Sequence, residues 1–528
     1  MPSSTDVFIE CMKEAFAFMA TSSFAQKVTL TDLTGDVSIQ GELLNFDGSH
    51  YMLRTFLRDL RLDASLMRCE GVACPADTIE VSEFRISGSK TLGEKLIPNL
   101  INAYGVNRLG TFGSVSRTQG QNGSVNYEVL STSGDMIAGV DVAASNTTDG
   151  LSDLLQGNTA IALASRPARN RETRAFQEAG FGNIRATENE HIVALDGILL
   201  ITSPDNPVRA ITQQNAALAF AGRITNWSEL GGPNQPINIY VRDDNSGTRE
   251  VFDNLLMRPA GLQVSNNVRL ASSDEALSQM VTNDPNGLGF TNFTNGSDAS
   301  ALAIEGVCGL QTPPNAFTIK TEEYPLTRLL YMYKSDQALP VHAKGLLDFT
   351  MSDTAQDLIS EAGFINQSIR KTSIDNQGLR VASAVVANRD FETFPQLQEM
   401  IQQLISSERL STTFRFETGS SRLDARAKDD IVRLAQLLST DAYRNKEVVF
   451  VGFTDSIGNP ELNRELSESR AQQVVDELLQ ENANLQSRVA LRAIGYGEIS
   501  PLGCNETNTG RRINRRVEVW VRDILARN

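Results

Sequence analysis

Ile237-Asn-Ile-Tyr-Val241 alternates apolar and polar residues. The chain then reads Arg242-Asp243-Asp244-Asn245-Ser246-Gly247-Thr248 before Arg249-Glu-Val-Phe. A strand, a loop of small hydroxyl residues with a glycine, and a helix start thus follow one another. A helix N-terminus offers unpaired amide donors and a partial positive charge. Ser and Thr add hydroxyl donors, and Gly lets the backbone approach a ligand, so such a loop can hold phosphate, sulfate or carboxylate. Plain N-capping explains any single copy equally well. Two further stretches repeat the device: Ser87-Gly88-Ser89-Lys90-Thr91 before Leu92, and Ala144-Ser145-Asn146-Thr147-Thr148 before a helix near Leu151. Three copies, each just after a strand, point to one converging oxyanion site, with Arg242 supplying a guanidinium fork.

Around these loops, residues from about 80 to 368 alternate short apolar runs with amphipathic segments, which is α/β patterning. Strands are expected at Phe84-Arg-Ile-Ser, Ala160–Ala164, Val193–Thr202 and Ile237–Val241. Helices are expected from about Thr91 to Tyr104 and from about Thr248 to Met257. Nearly 290 residues of this kind suit two lobes. Residues 26–79 read as a small β module, because Lys27-Val-Thr-Leu, Val37-Ser-Ile-Gln-Gly and Tyr51-Met-Leu alternate. Residues 369–409 read as a connector, polar and then helical from about Pro395 to Ser406. Residues 410–528 read as compact α+β: a strand at Thr413-Phe-Arg-Phe, a helix over Ala425–Leu438, a strand at Val448-Val-Phe-Val, a long helix over Glu461–Gln480, and strands at Val489–Ile494 and Arg516–Val521.

The 528 residues suggest about three domains, and 41% hydrophobic with 21% charged residues is an ordinary globular balance. With 48 basic and 64 acidic side chains the net charge is −16, which argues against a nucleic-acid partner. From Ser411 onward 17 basic and 17 acidic residues cancel, so the first 410 residues carry the whole excess. The three histidines, His50, His191 and His342, lie at no metal-ligand spacing, so neither a metal site nor a His-based triad is expected, and no cofactor. A P-loop wants Gly directly before Lys-Ser/Thr, whereas Ser89 precedes Lys90. Asn245-Ser246-Gly247 lacks the Gly-x-Ser-x-Gly of a nucleophile elbow. Hydrolysis of nucleotides or esters is therefore a weak reading.

No apolar run reaches the roughly 18 residues that span a bilayer. Residues 1–25 combine apolar Ala15–Ala20 with a small-x-small site at Ser23-Phe24-Ala25, while Asp6, Glu10 and Glu14 replace the expected basic start. They read as a degraded or mis-started export signal, with a short amphipathic helix as the alternative. Cys69 and Cys74 are five apart. In an exported protein that spacing reads as a disulfide, and in the cytosol as two buried thiols. Cys308 and Cys504 fall in different expected domains, and their pairing is left open.

Residues from about 80 to 368 resemble the phosphate-type periplasmic solute-binding proteins of ABC importers. The matching stretches are Ile86-Ser-Gly-Ser-Lys-Thr-Leu, Leu163-Ala-Ser-Arg-Pro, Leu195-Asp-Gly-Ile, Ile224-Thr-Asn-Trp-Ser-Glu-Leu-Gly-Gly and Arg242 to Thr248. The resemblance implies a two-lobed (type II) α/β fold and a dehydrated phosphate held by Ser89, Thr91, Thr147, Arg242, Ser246, Gly247 and Thr248, with Ser165 added at the neighbouring strand end. It also implies an ABC permease as a partner. The second loop reads Asn146-Thr147-Thr148 where that family prefers Gly-Ser-Gly. Ser165-Arg166 stands where a proton-accepting carboxylate is expected, which predicts poorer discrimination between phosphate and sulfate.

Residues from about 410 to 525 resemble the peptidoglycan-binding OmpA-like domain. The motifs are Val451-Gly-Phe-Thr-Asp455-Ser-Ile-Gly, Asn463-Arg-Glu-Leu-Ser467-Glu-Ser-Arg470-Ala, Gly495-Tyr-Gly-Glu and Asn514-Arg515-Arg516-Val-Glu-Val. The resemblance implies that Asp455 engages the amine end of diaminopimelate and Arg470 its carboxylate. A structural ion pair between the two is the plain alternative, and the Asn514–Arg516 run is expected to support the site and the sheet. The chain as a whole is expected to be a non-enzymatic binding protein of the periplasm, associated with peptidoglycan and the outer membrane. The alternative is a structural envelope protein whose binding-protein-like domain mediates protein contacts.

Overall fold

The computed structural model describes residues 27–524 except 33–36, 47–49, 56–57, 65–66, 72, 75–80, 109–114, 121–122, 131–134, 245, 294–298, 375–376, 388–393, 417–422 and 424. The export-signal reading of residues 1–25 lies outside the described residues. The chain forms two compact units. One holds the described residues up to Phe84 with Leu100–Asp141 and Pro340–Phe349, and the other holds Arg85–Asn99, Val142–Leu339 and Thr350 onward.

In the first unit, β1 (Lys27–Asp32), β2 (Ser38–Phe46), β3 (His50–Arg54), β4 (Asp59–Asp63) and β5 (Met67–Glu70) form an antiparallel sheet in the order β4-β3-β2-β1-β5. Alternation places Val28, Leu30, Tyr51 and Leu53 in one small core. Cys69 and Cys74 are disulfide-bonded beside it. Strands β6 (Ser82–Ser89) and β9 (Met136–Ser145) run on into the second unit, and β7 (Val115–Gln119) and β8 (Val125–Leu130) pair as a hairpin. The buried His342 ring meets the Tyr104 hydroxyl through Nδ1 at 3.1 Å, a core histidine rather than a ligand.

The second unit contains the middle and C-terminal domains. The helix expected over Thr91–Tyr104 breaks in two, α1 (Lys90–Lys95) and a helix over Ile97–Ala103. Pro98 has no N–H to continue the first ladder. Next come α2 (Thr147–Leu155), β10 (Ile161–Ala164), β11 (Glu190–Thr202), β12 (Asn238–Arg242), α3 (Gly247–Phe252), β13 (Arg269–Ala271), α4 (Asp274–Thr282), β14 (Gly287–Asn292), α5 (Ala316–Lys320) and β15 (Thr327–Tyr333). The strands line up as β13-β12-β14-β11-β15-β10-β6.

The thirteen residues of β11 are buried almost throughout, as expected of a strand covered on both faces. Its first part pairs with β15 and its last part, Ile198–Thr202, with β14. One strand thereby serves two lobes with separate cores. Leu154, Phe176 and Tyr333 belong to one. Phe220, Phe252 and Phe290 belong to the other, where the last two rings stack at 3.9 Å.

The C-terminal domain is a sheet in the order β16-β17-β20-β18-β19, made of β16 (Lys371–Ser373), β17 (Glu408–Arg415), β18 (Lys446–Phe453), β19 (Ala490–Gly495) and β20 (Arg516–Asp523). Helices α6 (Ala425–Ser439) and α7 (Pro460–Glu481) bury Leu434, Leu438, Val474 and Leu478 against Val448, Phe450 and Val519. The stretch expected to be a connector covers the other face. Helices Gly378–Ala387 and Phe394–Leu404 bring Ala384, Leu397, Met400 and Leu404 onto Val449, Val451 and Trp520.

Two devices join this domain to the middle one. Cys308 is disulfide-bonded to Cys504. Arg409, essentially unexposed, donates to Glu323 at 2.5 Å and faces Glu518 at 3.3 Å. Burial pushes the Glu518 carboxyl up, but Arg380, Arg409 and Arg516 outweigh it and hold the group well below the usual carboxylate range. Among the described residues, Cys308, Cys504 and Glu506 are the only metal-type ligands clustered closely, and both sulfurs are used in the disulfide. No helix among the described residues is long and apolar enough to cross a membrane.

Candidate binding sites

Glycine sets the geometry of the first site. Gly88 has φ +128°, and a Cβ there would fall 2.2 Å from the Leu163 carbonyl oxygen. A Cβ on Gly150 would meet Gly88 Cα at 2.7 Å. Helix α2 therefore lies directly on the end of β6. This carries Thr147, the first residue of α2, to the end of β10, where Ser165 N–H donates to Thr147 Oγ1 at 3.0 Å and the two hydroxyls are 3.3 Å apart. Asn146, not Thr147, caps the helix by accepting from Asp149 N–H at 3.0 Å. Ser89 is buried at the start of α1, and its hydroxyl makes no capping bond.

The third loop meets the first. A Cβ on Gly247 would sit 3.4 Å from Thr91 Oγ1, and the same oxygen accepts from Arg328 Nη2 at 3.4 Å. Ser246 caps α3 by accepting from Arg249 N–H at 3.4 Å. Arg242, at the end of β12, is turned onto Asp274. Its Nη1 donates to Oδ1 at 2.6 Å, while Nε and Nη2 donate to the carbonyls of Ala271 and Ser272 at 3.2 Å each. The other Asp274 oxygen accepts from the Thr248 hydroxyl at 2.8 Å and from Asn292 Nδ2 at 3.1 Å. One buried carboxylate thus fixes both Arg242 and Thr248.

All eight residues expected at this site belong to the second unit. Thr91 meets the Ser246–Thr248 loop at Gly247, Ser89 lies buried at the start of α1, Thr147 and Ser165 form a pair, and Arg242 and Thr248 share Asp274. Arg166 is taken up by Glu172 through two bonds of 2.8 and 2.9 Å. Sequence reasoning missed Asp274, and it missed the pair of Arg328 with Asp196, which lie opposite each other on β15 and β11 at 2.8 Å. The signal was present: a lone Asp inside the apolar run Val193–Thr202 requires a buried partner.

In the C-terminal domain glycine again permits close packing. A Cβ on Gly452 would fall 1.9 Å from the Ser467 carbonyl oxygen, and one on Gly495 2.4 Å from Glu468 N. Helix α7 starts with Asn459 as cap and Pro460 at its first turn, and it rests on the ends of β18 and β19. Ser467 Oγ accepts from Gly497 N–H at 3.0 Å, and Arg470, one turn further, is buried beside the strand ends.

The Oδ2 of Asp455 accepts from Arg515 Nη1 at 2.6 Å and its Oδ1 from Ile457 N–H at 3.1 Å. The Arg470 guanidinium lies 5.1 Å from the centre of the Phe416 ring. Burial, and then Arg515, lower its pKa to about 10, against the pull of Asp455. Asn514 pins the adjoining loop by accepting from Leu502 and Gly503 N–H. One carboxylate with two guanidiniums leaves a positive excess, suited to a ligand that presents a carboxylate beside an amine.

Residues 128–354 match the model of the PBP superfamily domain, and residues 415–515 that of the OmpA family. The chain joins a PBP domain to an OmpA domain. The PBP domain is 28% identical over 244 residues to the phosphate-binding protein PstS of Bacillus subtilis, covering 46% of this chain and 75% of that protein. It is 28% identical over 238 residues to the protein SphX of Synechococcus elongatus, covering 43% and 68%. An ABC-type phosphate transport receptor from Vibrio cholerae aligns at 23% identity over 53% of this chain and 99% of its own, with a TM-score of 0.40. The peptidoglycan-associated lipoprotein of Burkholderia pseudomallei aligns with the OmpA domain at 20% identity over 21% and 89%, with a TM-score of 0.19.

Proposed function

We propose that this chain captures phosphate, or a close tetrahedral oxyanion, in its PBP domain while its OmpA domain holds the molecule non-covalently to peptidoglycan in the periplasm. The observation that carries the reading is the meeting of the first and third loops, Thr91 against Gly247, with Thr248 fixed by Asp274. Hydroxyls and helix-start amides can saturate an oxyanion with neutral donors. Inside a dry cleft such bonds strengthen, so the net charge of −16 is no obstacle, since it is screened beyond about 8 Å at physiological salt. The relatives named as phosphate-binding proteins support the same ligand class. Asp455, Arg470 and Arg515 would take the ammonium and carboxylate of diaminopimelate, and an ABC permease would be the acceptor of the captured anion.

One observation favours the second reading, a structural envelope protein. Arg242, the expected fork, already spends three of its donors inside the protein. Calorimetric titration of the full chain with phosphate, sulfate and arsenate decides between them. Heat and a thermal shift with phosphate are expected, with sulfate binding within about tenfold. Silence with all three at millimolar concentration rejects the oxyanion site and leaves the structural reading.

A further inference from the structure

The face where the PBP and OmpA domains meet encloses a groove of about 500 Å³ whose charge is opposite to that of the chain. Five cations line it: Arg185 from the PBP domain, and Arg415, Arg426, Lys428 and Arg512 from the OmpA domain. Among the described lining residues two are carboxylates, Glu190 and Glu322. The described lining thus holds three more cations than carboxylates, within a molecule of net −16.

Internal pairing accounts for part of this charge. Arg426 bonds Glu322 and lies 3.4 Å from Asp430, Arg512 shares Glu322 at 3.6 Å, and Arg185 lies 4.0 Å from Glu190. Arg415 has no ion pair with any described carboxylate. Its bonds end on the carbonyls of Thr321, Arg512 and Ile513, and its buried Nε–H has no acceptor among the described residues. Burial, followed by the nearby Arg512, lowers the Arg415 pKa to about 9. Glu322 holds its place with φ 53°, a left-handed conformation that is strained for a residue with a Cβ. Desolvated guanidiniums without matching carboxylates are costly unless an anion completes them. Arg forks match the planar edges of phosphate and carboxylate groups. Ile192, Leu329 and Tyr331 give the groove an apolar side, and its volume lies in the ordinary range for small-molecule sites.

We propose that this interdomain groove is a second binding site, distinct from the cleft, for a multivalent anion presenting several phosphate or carboxylate groups.

The test uses the full, disulfide-bonded chain with orthophosphate present at saturation, so that the cleft is silent and failure of the cleft reading leaves this result untouched. Tripolyphosphate and citrate are titrated as probes. Binding of tripolyphosphate at one per chain is expected. The doubly reversed variant Arg512→Glu/Lys428→Glu, both solvent-reaching positions, should weaken it at least tenfold. Arg185→Glu, on the opposite wall, should weaken it several-fold, and orthophosphate titration and the melting temperature should stay unchanged in both variants. Citrate matching tripolyphosphate identifies a general polyanion site, and citrate binding much more weakly identifies a phosphate-rich ligand. Absence of binding by both probes at millimolar concentration, or equal binding by wild type and the double variant, overturns the proposal.

Discussion

The cleft of the PBP domain and the pocket of the OmpA domain both place arginine beside aspartate, but in different proportions. In the cleft, Arg242 is matched by Asp274 and Arg328 by Asp196. In the OmpA pocket, Asp455 stands between Arg515 and Arg470. The first arrangement cancels its own charge and leaves recognition to hydroxyl and amide donors. The second sets two guanidiniums beside one carboxylate. A matched pair positions donors, whereas a local excess of positive charge attracts from a distance. The two regions should therefore respond differently to mutation and to salt.

The largest expected effect is that of Arg242→Ala on phosphate affinity, toward the upper part of about 2–5 kcal/mol. The substitution removes the cation that matches Asp274 and leaves that buried carboxylate without a counter-charge beside the site. Titration calorimetry reads it, and an affinity within a factor of two of wild type would break the matched-pair account.

Arg470→Ala and Asp455→Ala should each abolish co-sedimentation of the full chain with peptidoglycan, a loss of about 2–5 kcal/mol, because one ligand charge is left unpaired on transfer from water. Unchanged sedimentation in both variants rejects their assignment. Ser246→Ala should cost phosphate binding about 1–3 kcal/mol for a lost hydrogen bond, together with about 1 kcal/mol of stability as a missing helix cap.

Raising salt from about 0.05 to 0.5 M shortens the screening length severalfold. Wall binding should weaken by several-fold while phosphate affinity changes by less than about twofold. Equal salt slopes would erase the distinction.

A last prediction concerns stability and not binding, through Lys320, a buried cation held by Asn366 Oδ1 and the Ser368 carbonyl. Burial first, then Arg370 and Arg433, lower its pKa to about 7. The unfolded chain then binds more protons between pH 7 and about 10.5, so stability rises with pH across that window. Lys320→Met should flatten that rise in urea melts at pH 7, 8.5 and 10.

Much of this architecture was legible in the sequence. Every expected strand and helix of residues 410–528 has its counterpart, because period-2 and period-3.6 patterns survive wherever one face meets a core. The helix at 394–404 matches the one expected from about Pro395 to Ser406, but the helix at 378–387 and the packing of both show where local reading fell short. Their packing follows from a tertiary fact: Val448-Val-Phe-Val is apolar on both faces, and its second face needs a cover that only the fold reveals. The same holds for the cleft. Its loops announce themselves by Ser, Thr and Gly next to strand ends. Asp274 and Arg328, which hold those loops, lie outside the loop motifs and are brought in by strand register. The partner of Asp455 is likewise Arg515 on the far side of the sheet turn, a residue that the sequence marked as supporting without naming its contact.

The bond between Cys308 and Cys504 has a mechanical consequence. A pull applied to β20, which follows Cys504, would otherwise reach the earlier part of the PBP domain only through all the residues between Cys504 and Cys308. The disulfide shortcuts 196 residues of sequence, a contour of roughly 650 Å when fully extended. With the bond intact, load passes straight into the loop at Cys308 and the intervening chain stays slack. A force–extension trace between β20 and Thr202 should show that length withheld in the oxidised protein and released after reduction. In the tethered reading proposed above, the bond would make the link between the two domains a strut and not a leash.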